Sequence, residues 1–379
     1  MEKARNLATL IIFCVLTFGL CIAFFVTPDL RRSQTERRLL SQAPQFSFAN
    51  LLSGEYTYAL DEYMQDQFPL REKFRTINAI TRYALGRRDN NGYFFVEGHL
   101  SSMEFPLNAM AVHQNTAHFN AVSEWLFEGH NIFYAIIPDK NYFLAERNGF
   151  LALDYDEMMR IAHHRMRGHT YIDLFNVLTI NDFYRTDIHW RQENLFPVAE
   201  QLARYMGVTL PPRESYTAHT LFPFRGSFHG HAALPVRPDE LVFLTNEYTE
   251  NAIVHTLVEG REDLEFSRYI TVDGERLPLF VYHPELFYGM DGYDVFLAGA
   301  QAIMTIEVPD ADNDRGLIVF RDSFGSSIVP LLIGAYSHIT IVDLRYIATH
   351  QLPQRIEITD QDVLFIYSTV MLNQQGLLR

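Results

Sequence analysis

Leu317-Ile318-Val319-Phe320-Arg321-Asp322-Ser323-Phe324-Gly325-Ser326-Ser327, followed by Ile328-Val329-Pro330-Leu331-Leu332, is the stretch on which the fold reading turns. The apolar run suits a strand buried on both faces, and the small residues after it suit a tight turn that opens a helix. Such a junction lifts a hydroxyl above the carboxyl edge of a sheet and aims backbone N–H groups at it. Ser323 is therefore a candidate nucleophile, with its own N–H as a candidate oxyanion donor. The plain alternative is that Ser323 or Ser326 only caps the helix.

Outward from this junction, the same βαβ rhythm recurs. Asn131 to Pro138 is a continuous apolar run suited to a central parallel strand, a helix is expected near Tyr155 to Met166, and a strand at Thr170 to Leu174. Further strands are expected at Gly316 to Phe320, Ile339 to Leu344 and Val363 to Tyr367, with a helix over Ala109 to Phe127. Tyr93 to Val96 reads as a short buried strand. From about 211 to 308 the runs are short, alternating and rich in turn residues, which reads as a β-rich insertion over the sheet. Residues 28–54 are polar and linker-like, and Glu55 to Arg88 is helical in pattern with a break at Pro69.

Leu7 to Val26 carries no charge and matches the ~20 residues needed to cross a hydrocarbon layer. No small-residue cleavage site follows it, so it reads as an uncleaved anchor with Lys3 and Arg5 on the cytoplasmic side. Arg31, Arg32, Arg37 and Arg38 oppose that orientation under the positive-inside rule, but long C-terminal domains translocate regardless of such charges. The expected divisions are an anchor at 1–27, a linker and helical region at 28–90, and the main domain at 91–379. Both cysteines, Cys14 and Cys21, fall inside the apolar segment, which leaves no disulfide or thiolate chemistry outside it. A net charge of −15 argues against a nucleic-acid partner.

Asp187-Ile188-His189-Trp190 supplies what a serine nucleophile lacks. Its spacing lets one loop hold a carboxylate beside an imidazole, which can take the serine proton while the carboxylate steadies the imidazolium. A lone Asp-x-His is a weak signal; paired with the strand-Ser-helix junction it provides the other half of one device. Lys140 and Arg345, at strand ends, and Trp190 beside the pair are candidate substrate contacts, against ordinary surface or ion-pair roles. The acidic run Asp310 to Gly316 departs from a calcium loop, since Arg321 stands where a bidentate Glu belongs. His163-His164 and His229-Gly230-His231 have no companion ligands in sequence, so no metal and no cofactor is expected.

These blocks together resemble the DHHW family: Thr186 to Trp190 is similar to its signature, Arg321 to Gly325 to its Asp-Ser-Phe/Tyr block, and Ile341 to Tyr346 to the strand that follows. Glu36-Arg37-Arg38-Leu39-Leu40, Gln65 to Arg71 and Ile137 to Lys140 agree as well, so the resemblance spans nearly the whole chain. DHHW proteins are similar to the SGNH-hydrolase-like domains of alginate O-acetylation proteins. The resemblance implies a three-layer α/β fold with a central parallel sheet. It also implies Ser323 as nucleophile, His189 as base and Asp187 as its orienter, acting outside the cytoplasmic membrane on an exported or cell-surface polysaccharide. An acetyl donor outside the cell implies a multi-pass membrane O-acyltransferase as partner. Esterase activity, with water as acceptor, and a non-catalytic glycan-binding or assembly role on a decayed hydrolase fold are the alternatives. Ile188 replaces one His of the signature but leaves the pair intact. Ala298-Gly299-Ala300 stands where the family more often has Gly-Gly-Asn, so the oxyanion donors fall to Ser323, Gly299 and, as substitutes for the lost Asn, Gln301 or Asn373.

Overall fold

The computed structural model describes residues 2–33, 35–257, 266–272, 274–376 and 378. Residues 258–265 and 273 of the expected insertion, and both terminal residues, lie outside these. The chain forms two units, 1–91 with 229–235 and 92–228 with 236–379.

In the first unit, α1 (Glu2–Val26) is apolar along its length and buries no residue. α2 (Glu55–Asp66) and α3 (Arg71–Ala84) follow, parted by Pro69, which cannot donate to a helix, and by Leu70 at a left-handed φ of 60°. The sequence blocks around Arg38 and Asp66 meet here. Arg38 donates to Asp66 at 2.8 Å, and Glu36 forms ion pairs with Arg71 at 2.6 Å and with Arg75 at 3.2 Å. Arg38 holds the Asp66 carboxyl down to about 2. Arg38, one of the four arginines that oppose the expected orientation, is thus neutralised within its own unit. The linker is also more ordered than its composition suggests, because Gln67 exchanges hydrogen bonds of 2.9 Å with both backbone groups of Leu30.

The second unit is built on an eight-stranded sheet. In chain order its strands are β1 (Ile132–Ile137), β2 (Thr170–Asp173), β3 (Ile253–Leu257), β4 (Phe266–Ser267), β5 (Ile303–Glu307), β6 (Gly316–Arg321), β7 (His338–Val342) and β8 (Gln361–Ser368). Their spatial order is β4-β3-β5-β7-β6-β8-β1-β2. The five strands from β7 to β2 run parallel, as the apolar runs require, and β5, β3 and β4 extend the sheet antiparallel. The expected insertion therefore divides. Thr217–Phe224 and Asp239–Thr245 form a separate hairpin, whereas Ile253–Leu257 and Ile303–Glu307 are part of the main sheet.

Side chains alternate across the sheet and fill a core on each face. Leu317 and Val319 join Val198, Leu202 and Met206 of α6 (Phe196–Met206) on one side. Ile318 and Phe320 join Phe119 of α4 (Ala109–Leu126) and Ala162 of α5 (Tyr155–Arg165) on the other. All six residues of β6 are buried, each large one contributing about 1.5–3 kcal/mol. The turn after β6 is thus anchored on a fully buried strand paired on both sides. Tyr93–Val96 pairs with His99–Ser102 in a hairpin of its own, not with the main sheet.

Candidate active site

β6 ends at Arg321, and the chain turns so tightly that a Cβ on Gly325 would lie 2.6 Å from the Cβ of Arg321. Only glycine fits there. Asp322 holds the turn. Its Oδ1 accepts from the N–H of Phe324 at 3.1 Å, and its Oδ2 from the N–H of Ser368, at the end of β8, at 2.8 Å. The expected helix is a single turn, Gly325–Ile328, passing into a 3₁₀ turn at Val329–Leu332. Pro330 has no N–H to continue the α pattern, so little macrodipole accumulates. No side chain caps this turn, and the Ser323 hydroxyl is committed elsewhere.

That hydroxyl is 2.8 Å from His189 Nε2, and His189 Nδ1 is 2.6 Å from Asp187 Oδ1. The carboxylate accepts the Nδ1 proton, which leaves Nε2 unprotonated to receive the proton of the Ser323 hydroxyl. Asp187 is wholly buried, and its charge is met by N–H groups. Oδ1 also accepts from the backbone of His189 at 3.0 Å, and Oδ2 from Ser227 at 2.6 Å. A Cβ on Gly226 would come within 2.4 Å of both Cα and Cβ of Asp187, so Gly226 is what lets this second strand of chain approach the carboxylate.

The loop carrying Asp187 and His189 is held from below. Lys140, 2% exposed, donates through Nζ to the carbonyls of Tyr184 at 2.9 Å, Arg185 at 3.2 Å and Asp187 at 3.1 Å. Burial pushes its pKa down to about 7, and Asp187 and Asp239 pull the other way. Asp239, from the Asp239–Thr245 strand, accepts from the N–H groups of Arg185 and Thr186 and from the Thr186 hydroxyl, at 3.0, 2.9 and 2.6 Å.

Three of the substrate-contact expectations change. Lys140 is spent on backbone carbonyls and cannot reach a substrate. Trp190 is wholly buried; its indole N–H donates to the carbonyl of Phe324 at 3.0 Å and to Ser327 Oγ at 2.8 Å, which ties the histidine loop to the serine turn. Arg345 forks onto Asp343 at 2.8 and 2.6 Å, an ion pair within its own turn.

The oxyanion expectations narrow in the same way. The N–H of Gly299 donates to Phe296 O at 3.1 Å. Gln301 donates to Ala298 O at 3.1 Å and accepts from Thr256 at 3.3 Å. Asn373 accepts from the N–H of Asn108 at 2.7 Å and donates to Pro106 O at 3.2 Å. Ala300 is exposed and offers only a methyl group. Among the described residues, the Ser323 N–H has no protein partner, which leaves it open to an oxyanion.

Tyr293 was not singled out by sequence, since a tyrosine between glycine and aspartate carries no signal of its own. Its ring stacks on His189 with centroids 3.8 Å apart and planes 4° from parallel, and its hydroxyl donates to Ser327 Oγ at 2.7 Å. An aromatic face favours the imidazolium that forms as the serine proton transfers. Tyr293→Leu is expected to slow acyl transfer about tenfold, and Tyr293→Phe, which keeps the stack, to cost little. Steady-state rates across pH check this; equal losses in both variants would assign the effect to the hydroxyl.

No family model and no curated protein sequence matches the chain. Solved structures do. A DHHW family protein from Eubacterium siraeum DSM 15702 superposes with a TM-score of 0.58 at 19% identity, covering 76% of this chain and 94% of that one. Bacillus cereus PatB1, solved with a sulfonyl adduct, gives 0.57 at 19% identity over 75% of this chain and 98% of its own. The O-acetyltransferase domain of Pseudomonas putida AlgJ gives 0.44 at 14% identity over 75% and 93%, and the fold assignment rests on the first two. The chain shares the α/β fold of the DHHW family protein and PatB1.

Proposed function

We propose that this chain is a serine acyl-transfer enzyme of the cell envelope, anchored by α1 with its second unit outside the cytoplasmic membrane, which O-acetylates an exported or surface polysaccharide. The observation that carries the reading is the continuous relay from Ser323 through His189 to Asp187, at 2.8 and 2.6 Å. His189 Nε2 takes the Ser323 proton as Oγ attacks the acyl carbonyl, and the Ser323 N–H receives the oxyanion. Collapse expels the donor's oxygen or sulfur leaving group, which takes the proton from His189, and leaves acyl-Ser323. A sugar hydroxyl then gives its proton to His189 and attacks the acyl carbon; the bond from that carbon to Ser323 Oγ breaks, Oγ retakes the proton from His189, and the sugar departs as its ester. The acyl donor must reach the site from outside the cell, and the family resemblance points to a multi-pass membrane O-acyltransferase as its supplier.

Two other readings have observations behind them. With water as the acceptor the same relay makes an acetyl esterase. The tied Gly299, Gln301 and Asn373 and the bare Ala300 favour a slow or non-catalytic protein, since one missing oxyanion donor costs on the order of 10²–10³ in rate. Purified full-length protein should be incubated with an acetyl-ester donor, with and without surface glycan, and treated in parallel with a sulfonyl fluoride. Acetylated glycan above the hydrolysis background, with a sulfonyl group on Ser323, is the expected result. Acetate release unchanged by glycan would make it an esterase; an unmodified Ser323 and no turnover would leave only a binding role.

A further inference from the structure

α2 and α3 each bury almost nothing: Asp66 is the one buried residue of α2 and Ala79 the one of α3. A helix stabilised by packing should hide its apolar stripe. Instead Met64, Phe68, Leu70, Phe74, Ile77 and Ile80 are 39–61% exposed. Phe68 and Phe74 meet edge to face, with ring centroids 5.6 Å apart, so the patch is continuous across the Pro69 break. The basic residues lie on α3 and just after it, whereas α2 exposes Glu55, Asp61 and Glu62. Arg71 and Arg75 pair with Glu36 and Glu72, and Lys73, Arg82, Arg87 and Arg88 lie exposed on the same stretch.

What covers this face is indicated by its attachment to α1. Tyr63 of α2 packs edge-on against Phe24, in the last turn of α1, with centroids 5.6 Å apart, and its hydroxyl donates to Asp29 at 3.1 Å. A groove of about 1500 Å³ runs between them, lined by Leu20, Cys21 and Phe24 of α1 and by Met64, Phe68 and Phe74. The apolar segment ending at Val26 is about as long as a hydrocarbon layer is thick, so its last turn lies at the headgroup level. Tyr63, near the end of α2, packs at that level, beside the start of α3 at Arg71. Exposed apolar side chains flanked by lysine and arginine, held there, match an interfacial helix more closely than a water-facing one.

We propose that the exposed face of α2 and α3 rests on a phospholipid surface, its apolar side chains among the acyl chains and its basic residues against anionic headgroups. This goes beyond the acyl-transfer reading, with which it shares only the membrane anchor. Lipid also accounts for a groove walled on one side by a membrane helix, since acyl chains are the apolar molecules present at that depth. Electrostatic attraction of such residues to anionic headgroups adds to the apolar burial.

The test uses the full chain in phosphatidylcholine vesicles containing phosphatidylglycerol. A nitroxide on Cys14, with Cys21→Ala, calibrates the span; a nitroxide on Ile77→Cys, with both native cysteines replaced by alanine, reports on the face. Collision with oxygen, which concentrates in lipid, is compared with collision with a water-soluble nickel complex, and free label in buffer sets the aqueous limit. The expected result is that Ile77 shares the oxygen preference of Cys14 and is several-fold less accessible to nickel than the free label. Ready collision with nickel at Ile77 while Cys14 prefers oxygen would overturn the inference and leave the anchor standing. Shielding from both quenchers would also overturn it, because protein, such as a second copy, would then cover the face. Nickel access at Cys14 itself would remove the anchor and the inference together, leaving the chemistry at Ser323 untouched.

Discussion

Ser323→Ala is expected to abolish covalent modification by a sulfonyl fluoride and to lower acetyl transfer or ester hydrolysis by at least ~10³-fold. The change removes one hydroxyl whose recorded partner is His189 Nε2, at 2.8 Å, so folding should be unaffected. His189→Ala should cost about as much, and the double variant no more, because members of one relay act as a unit. Asp187→Asn is the more informative partner. The amide keeps the shape, but its Oδ1 or Nδ2 no longer forces the proton onto Nδ1, and the wrong tautomer leaves Nε2 unable to accept; roughly 10⁴-fold is the scale of such a loss. Ser326→Ala serves as the control, since that side chain carries none of the relay's hydrogen bonds. Normal surface acetylation in cells carrying Ser323→Ala would remove the acyl-enzyme and favour the non-catalytic reading already suggested by Ala300. Melting temperature separates a chemical loss from an unfolded protein.

The parallel strands were legible because strands buried on both faces leave continuous apolar runs, as in Ile132–Ile137 and Gly316–Arg321. Asp187 and His189 were legible for a local reason too: two residues apart on one turn, they share an Oδ1 contact with no help from distant sequence. The edge strands were not. Ile253–Leu257 alternates half-buried and buried residues, the same pattern a free hairpin shows, and only pairing with Met304 to Glu307 places it in the main sheet. The supports of the site were hidden for a similar reason. Gly226, Ser227 and Asp239 reach the Asp187 loop from some forty to fifty residues away, and nothing in their own letters marks that destination. Glu36 and Asp66 show the opposite case, where blocks quoted for a resemblance turn out to bind one another through Arg38 and Arg71.

Lys140→Met is expected to cut the rate of acyl transfer about 10²-fold while leaving substrate affinity little changed. Methionine fills nearly the same volume but brings no donor, so the carbonyls of Tyr184, Arg185 and Asp187 lose their shared partner. A buried acceptor left unpaired costs about 1–3 kcal/mol, and the loop can avoid that cost by tilting these carbonyls toward water. Such a tilt moves Asp187 with them, and a displacement of ~1 Å at a relay is enough for a loss of that size. The pH profile distinguishes this positioning role from simple destabilisation. With its pKa pushed to about 7 by burial, Lys140 is charged below that pH and neutral above it. The charged amine has three protons for three carbonyls; the neutral amine has two, so one carbonyl is released as pH rises through about 7. Asp187 and Asp239 oppose that deprotonation, and His99, whose own pKa is lowered first by burial and then by Lys140, does not add positive charge there at neutral pH. Wild-type protein should therefore lose rate on the alkaline side of neutrality. The methionine variant, already without the donor, should show a flat alkaline limb at its lower rate. Identical profile shapes in the two proteins would mean that Asp239 and Ser227 hold the loop without Lys140.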